Sequence, residues 1–134
     1  MDRPENVPSY DEIHRVVQAF YKKLLNDPKL SPFFSHVDNF AEHEQRIVDF
    51  WWMSMGGKLD DPPKINMIGK HFPLGIKETD LLQWIALFSE TLSEHLDGPK
   101  GLLWMDKVLV IAARLKQIVI DNQAMGVQIS EPEA

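Results

Sequence analysis

Apolar residues recur at helical spacing through most of this chain, and this periodicity constrains the fold more than any other feature. The first periodic segment follows a capping-box pair, Ser9 and Glu12. Its apolar residues are spaced three and four apart: Ile13, Val16, Val17, Phe20 and Leu24. The segment predicts a helix that runs to about Asn26 and ends at Asp27-Pro28, because proline interrupts a regular helix.

Three further segments repeat this helical pattern. The second begins at another capping pattern, at Asn39, and ends at Gly56-Gly57. One of its faces carries Phe40, His43, Ile47, Phe50, Trp51 and Ser54. The third begins at Thr79, stops at Asp97-Gly98-Pro99 and carries Leu81, Leu82, Ile85, Phe88, Leu92 and Leu96. The last carries Trp104, Val108, Ile111, Leu115, Ile118 and Asn122. Four amphipathic helices are therefore predicted.

The remaining stretches read as irregular structure. Residues 30–34 form a corner broken by Pro32, and residues 58–78 contain several prolines and glycines that exclude a long helix. A loop with one or two helical turns around residues 64–71 is expected there. The chain is thus predicted to be an all-α, single domain over residues 1–134, with a core from about 10 to 122 and a polar tail from Gln128.

Composition excludes several classes of protein. The net charge of −6 argues against a nucleic-acid partner, since phosphate binding needs a cationic surface. The chain has no cysteine, which excludes disulfides, iron–sulfur clusters and covalently attached c-type haem. No apolar run approaches the roughly 20 residues that span a bilayer. The N-terminus lacks the layout of a signal peptide, so a cytoplasmic location is expected.

Most metal and hydrolytic chemistry is also absent from the motifs. His43-Glu44 begins like the zinc motif H-E-x-x-H, but position 47 is isoleucine and the second ligand is missing. A di-iron carboxylate bundle needs Glu-x-x-His on two helices, and the sequence contains none. Nucleophile-elbow, phosphate-loop and EF-hand motifs are likewise missing.

A non-covalently bound haem is the cofactor that the histidines can accommodate. His71 follows His43 by 28 residues and lies in an irregular segment among apolar residues, whereas His43 shares a helical face with Ile47 and Phe50. The other histidines, His14, His36 and His95, lie among polar residues and are expected to be solvated. Haem needs an apolar slot and a neutral imidazole that reaches iron. Spacing alone leaves His71 as either a ligand or a residue at the core edge.

An ordered set of residues resembles the truncated haemoglobins. The set comprises Phe20-Tyr21, Asp27-Pro28, Pro32-Phe33-Phe34, Glu42-His43, Phe50-Trp51, Lys70-His71-Phe72-Pro73-Leu74 and Trp84-Ile85-x-x-Phe88. The match covers residues 10–122, and a histidine on the second helix with a tryptophan on the following long helix fits group III best. The resemblance implies a globin-like, truncated two-over-two helical sandwich around a b-type haem.

The resemblance also implies a role for each site residue. His71 is the proximal iron ligand, Tyr21 and Trp84 are distal hydrogen-bond donors, and His43 is a distal gate or further donor. Phe34 packs on the porphyrin face. Further pocket residues are Phe20, Ile47, Phe50, Trp51 and Phe88. Arg46 and Lys70 either pair with the haem propionates or are solvated surface charges. Only one of the adjacent indoles, Trp51 and Trp52, is expected to face the haem.

The function implied by the resemblance is reversible binding of dioxygen, carbon monoxide or nitric oxide at a five-coordinate haem iron in a monomer. Slow release of dioxygen would suit nitric oxide dioxygenation or peroxide turnover, and either reaction needs an external reductase. Two alternatives stay open. His43 can bind iron opposite His71 in a six-coordinate haem for electron transfer or redox sensing, or the chain can be a haem-free helical interaction module.

Overall fold

The computed structural model describes residues 6–35, 37–59, 75–96 and 98–120, apart from the side chains of residues 118 and 119. Over these residues it contains no strand and four α-helices: α1 (Tyr10–Asn26), α2 (Phe40–Ser54), α3 (Glu78–His95) and α4 (Gly98–Leu115). A 3₁₀ helix, Ser31–Phe34, precedes α2, and a π-helical turn, Lys116–Ile120, follows α4. The all-α prediction is confirmed. None of the described helices is long and apolar enough to cross a membrane.

Local capping fixes the starts of the first two helices as predicted. The Ser9 hydroxyl accepts a hydrogen bond from the Glu12 amide at 3.1 Å, and the Glu12 carboxylate accepts one from the Ser9 amide at 2.9 Å. The Asn39 side chain accepts from the Glu42 amide at 3.1 Å at the start of α2. Gly56 follows α2 at φ +89°, a left-handed conformation that glycine adopts without a Cβ penalty.

The last two helices depart from the predicted boundaries. α3 begins at Glu78 rather than Thr79, because the Asp80 carboxylate accepts a hydrogen bond from the Lys77 amide at 3.0 Å. Gly98 and Pro99 lie in the first turn of α4, where a proline needs no amide partner, so they begin a helix as well as following one. The α-helical part of α4 ends at Leu115, and the predicted end at Asn122 lies outside the described residues.

The helices pack as two layers. α1 contacts α2 and α3, and α3 contacts α4, which gives the two-over-two arrangement. The core between the layers is built from side chains that are almost fully buried: Ile13, Val16, Val17, Phe20, Leu24, Val48, Trp51, Phe88, Leu92, Trp104 and Val108. Burial of this apolar surface is the main favourable term in folding.

The inward face of α2 is rotated from the one predicted. Val48, Trp51 and Met55 form its buried line, whereas Ser54 is exposed. The predicted line included Trp51, which is buried, but its members from Phe40 through His43 and Ile47 to Phe50 are only half-buried. α2 therefore presents one apolar line to the core and a second, partly open line beside it.

Acid destabilisation is expected to depend in part on Glu12, which pairs with Lys100 on α4 at 2.9 Å. Burial raises the pKa of Glu12, but hydrogen bonds from Lys100 and Ser9 outweigh it, so this pKa lies below its ordinary value. A carboxyl with a lowered folded-state pKa stabilises the fold above its unfolded pKa, and that stability is lost as pH falls through the folded pKa.

Lys100→Met should therefore reduce stability at neutral pH and flatten the loss of stability on acidification. Urea unfolding followed across the acidic range measures both effects. Lys107→Met, which removes a lysine from the same helix, is the matched control and should keep the parent's pH dependence. A Lys100→Met chain that loses stability with acid as steeply as the parent would show that the ion pair does not set this dependence.

Candidate functional site

Tyr21 places a buried hydroxyl where α1 meets the start of α2. Its side chain is 7% exposed, and Oη lies 3.4 Å from Nε2 of His43, at the long end of hydrogen-bond distances. Burial, together with the negative charge of Glu44, raises the pKa of Tyr21 well above its ordinary value. A phenol is already protonated at physiological pH, and this shift moves its ionisation still further away, so the hydroxyl is available as a donor.

Aromatic rings enclose this hydroxyl. The rings of Phe34, Phe40 and His43 lie at 5.6, 5.4 and 5.5 Å from the Tyr21 ring, all close to edge-to-face. Phe34 comes from the 3₁₀ helix after Leu30, while Phe40 and His43 share the first turn of α2. Edge-to-face pairs at this separation are favourable beyond their buried area. The polar pair therefore lies in an apolar setting.

Trp84 joins the same aromatic cluster from α3. Its half-buried ring lies 5.8 Å from Phe20 and 5.4 Å from Phe88, and the Phe20 ring lies 5.9 Å from Tyr21. The structure thus brings Tyr21, His43 and Trp84, which belong to three different helices, into one connected group. Ile47 and Phe50, which continue the half-buried line of α2, extend this apolar surface.

Three of the predicted pocket residues lie deeper than the others. Phe20, Trp51 and Phe88 are at most 3% exposed, and Trp51 and Phe88 pack on Trp104 at 5.7 and 5.6 Å. They form a layer behind the half-buried aromatic rings. Trp52 packs away from this layer, as predicted for one of the two adjacent indoles: its ring lies 5.5 Å from Tyr10 and its Nε1 donates to the Lys58 carbonyl at 3.2 Å.

Sequence reasoning did not single out Phe40 as a pocket residue. Its ring lies 5.7 Å from His43 and 6.2 Å from Phe34, so it completes the aromatic enclosure at the start of α2. The sequence does contain a pattern that identifies Phe40 as a pocket residue. It precedes His43 by three residues, and residues with this spacing share a helical face.

The remaining predicted residues are only partly described. His71, Lys70 and His36 lie outside the described residues, so their placement is untested. Arg46 is exposed on α2, and His14 and His95 are half-buried. Within the ranges that the structure describes, no group of three or more metal-ligating side chains comes together. A metal bound by the described residues alone is not supported.

The described side chains fit a haem. A haem pocket needs apolar walls, aromatic contact for the macrocycle and donors on one side of the iron. The half-buried line of α2 and the rings of Phe34 and Trp84 provide the walls, and Tyr21 and His43 provide polar atoms inside them. The iron-ligating imidazole would have to come from outside this set, which is the role predicted for His71.

Comparison with known proteins assigns the family. Residues 5–101 match the family model of bacterial-like globins, and the chain belongs to the bacterial-like globin family. The fold is similar to the group III truncated hemoglobin from Campylobacter jejuni, with a TM-score of 0.74, 21% identity and coverage of 88% of this chain and 95% of that one. The group II truncated hemoglobin from Bacillus anthracis gives a TM-score of 0.72, 18% identity and coverage of 89% and 93%.

No curated protein sequence matches the chain. The resemblance to truncated haemoglobins and the predicted two-over-two globin fold are both confirmed. Membership of a globin family implies that the chain binds haem.

Proposed function

We propose that this chain binds a b-type haem and that its distal pocket reversibly holds dioxygen, carbon monoxide or nitric oxide. When bound, haem supplies an iron atom that accepts a diatomic ligand. The observation that carries the proposal is the buried Tyr21 hydroxyl, held 3.4 Å from His43 Nε2 within a ring of aromatic side chains. The Tyr21 hydroxyl is buried and makes one long hydrogen bond, so a bound ligand that offers it a nearer acceptor would be stabilised.

The distal residues would stabilise a polar ligand by hydrogen bonding. Tyr21 donates a hydrogen bond through its hydroxyl, which is protonated at neutral pH as in any tyrosine and whose pKa burial raises further. Trp84 is proposed to donate its indole N–H, and His43 to act as a second donor or as a gate beside solvent. Such bonds are stronger in an apolar pocket than in water, so a ligand that carries partial negative charge is favoured over a nearly neutral one.

The remaining residues are assigned to the iron ligand, the pocket walls and the haem propionates. His71 is proposed as the proximal iron ligand. Phe34 would pack on the porphyrin face with Ile47 and Phe50 beside it, and Phe20, Trp51 and Phe88 would support them from the core. Arg46, exposed one turn from His43, and Lys70 are proposed to pair with the haem propionates.

A pocket with several donors would release dioxygen slowly, which suits nitric oxide dioxygenation or peroxide turnover better than bulk delivery. Either activity would draw electrons from an external reductase. We also propose that the protein is a cytoplasmic monomer.

Haem binding is tested by haemin titration of the purified chain, followed through quenching of the fluorescence of its four tryptophans. Quenching that saturates at one haem per chain is expected, whereas no quenching would favour a haem-free helical module.

A six-coordinate haem is a second candidate, because the imidazole nitrogen of His43 that approaches Tyr21 already faces the pocket. His43→Leu separates the two states. On the five-coordinate account, ferric parent and variant share a high-spin spectrum. A low-spin parent whose spectrum becomes high-spin in His43→Leu would instead establish His43 as an iron ligand.

A further inference from the structure

The aromatic side chains form a continuous path from the candidate pocket into the core. The half-buried Trp84 ring lies 5.4 Å from Phe88, and Phe88 lies 5.5 Å from Trp51. Trp51 also lies 5.7 Å from Trp104. The phenyl ring of Phe88 therefore lies between the indoles of Trp84 and Trp51. An electron can tunnel from one indole to the other across this ring, so Phe88 itself need not be oxidised.

A second aromatic pair continues from this path toward the surface. Trp52 follows Trp51 in the chain, so one peptide unit joins the two residues, and its ring packs against Tyr10 at the start of α1 with the ring centroids 5.5 Å apart. The Tyr10 hydroxyl donates to the Asp49 carboxylate at 2.8 Å, and Gln45 donates to both groups, at 2.5 and 3.0 Å. Tyr10 and Trp52 are both half-buried and so reach solvent.

The ends of this path differ in where a proton can go. A phenol or indole becomes a far stronger acid when it loses an electron, most of all a phenol, and the oxidised state is trapped where its proton has an acceptor. Trp104 is fully buried, and within the described residues its indole N–H meets no hydrogen-bond partner. Tyr10 already donates its proton to a carboxylate through a charge-assisted hydrogen bond. By this criterion Tyr10 is a better trap for an oxidising equivalent than Trp104.

We propose that Trp84, Trp51, Trp52 and Tyr10 form a redox relay from the haem pocket to the surface, where Tyr10 is re-reduced by small phenolic or enolic one-electron donors. This inference rests on the proposed haem function. The oxidant would be hydrogen peroxide, which becomes two waters by taking up two electrons and two protons. The relay would supply the two electrons one at a time, and each would be replaced at Tyr10 by one external donor. The two protons would come from solvent and match the two that the oxidised donors release.

The proton and electron leave Tyr10 in separate directions. The electron refills oxidised Trp52, and the phenolic proton moves along the existing hydrogen bond to Asp49, which leaves a neutral phenoxyl radical. An external donor then returns the electron, and Asp49 returns the proton. Tyr21 is the competing trap, but its hydroxyl lies 3.4 Å from an imidazole nitrogen, against 2.8 Å to a carboxylate for Tyr10.

The chain contains two tyrosines, so a tyrosyl radical can be assigned to one of them by substitution. The haem-loaded chain is mixed with hydrogen peroxide, frozen rapidly and examined by electron paramagnetic resonance. The tyrosyl signal should be present in the parent and lost in Tyr10→Phe, whose Soret band should still shift with carbon monoxide as the parent's does. An unchanged tyrosyl signal in Tyr10→Phe would overturn the relay, as would a carbon monoxide-responsive haem protein that forms no tyrosyl radical.

A second experiment needs no haem and so separates failure of the relay from failure of the proposed function. Azide radicals produced by pulse radiolysis oxidise tryptophan in the purified full chain. The tryptophan radical should decay as a tyrosyl radical grows, at a rate independent of protein concentration. Tyr10→Phe should abolish this growth, and Asp49→Asn should slow it. Tryptophan decay without tyrosyl growth in the parent, or growth unchanged in Tyr10→Phe, would contradict the step from Trp52 to Tyr10.

Discussion

Tyr21→Phe is expected to release dioxygen roughly 5- to 150-fold faster than the parent. The substitution removes the hydroxyl and leaves the ring, so its edge-to-face contacts with Phe34 and Phe40 persist. The lost interaction is one hydrogen bond to a ligand in a buried pocket, worth about 1–3 kcal/mol. Carbon monoxide, which stays nearly neutral, should be released at a rate closer to that of the parent.

Stopped-flow displacement of dioxygen by carbon monoxide measures this effect. Tyr10→Phe is the matched control, because it removes the chain's other tyrosine hydroxyl, whose hydrogen-bond partners are Asp49 and Gln45 rather than the pocket. The control should release dioxygen at the parent's rate. Equal release rates in Tyr21→Phe and the parent would remove Tyr21 from the distal assignment.

Phe88→Ala is expected to have the largest effect on stability, a loss of about 3–5 kcal/mol of unfolding free energy. Phe88 is 1% exposed. Its ring contacts the aromatic residues of both layers: Phe20, Trp51, Trp84 and Trp104. Truncation therefore removes dispersion contacts on every side and leaves a cavity that rigid neighbouring rings fill poorly.

Urea unfolding of the haem-free chain measures this loss, because bound haem would add its own binding energy to the folded state. Leu102→Ala, at a side chain that is 70% exposed on α4, is the control and should change stability by no more than about 0.5 kcal/mol. A Phe88→Ala chain as stable as this control would mean that the aromatic layer around Phe88 contributes little to the stability of the core.

The fold was predictable where short-range rules decide it. The capping box at Ser9, the N-cap at Asn39 and the spacing of apolar residues in α1 placed two helices correctly. The prediction was wrong where tertiary contacts intervene. Gly98 and Pro99 suggested only the end of a helix, although they begin α4, and the buried line of α2 passes through Val48 rather than His43. Propensity alone cannot decide which of two adjacent apolar lines meets the core.

The candidate site was predictable only through resemblance. Tyr21 and His43 lie 22 residues apart on different helices, and no local pattern indicates that the hydroxyl of one approaches the imidazole of the other. The cluster of Tyr10, Asp49 and Trp52 was missed for the same reason, since it joins residues 39 or more apart across α1 and α2. His71 stays a prediction, because it lies outside the described residues.

The central claim is that the chain holds a haem through His71 with an exchangeable ligand site opposite. The most direct test is the absorption spectrum of the purified protein, ferric and then dithionite-reduced, with and without carbon monoxide, in the parent and in His71→Ala. We predict a Soret band that shifts with carbon monoxide in the parent and is abolished in His71→Ala. A parent without a Soret band even after haemin addition, or a band unchanged by His71→Ala, would contradict the account.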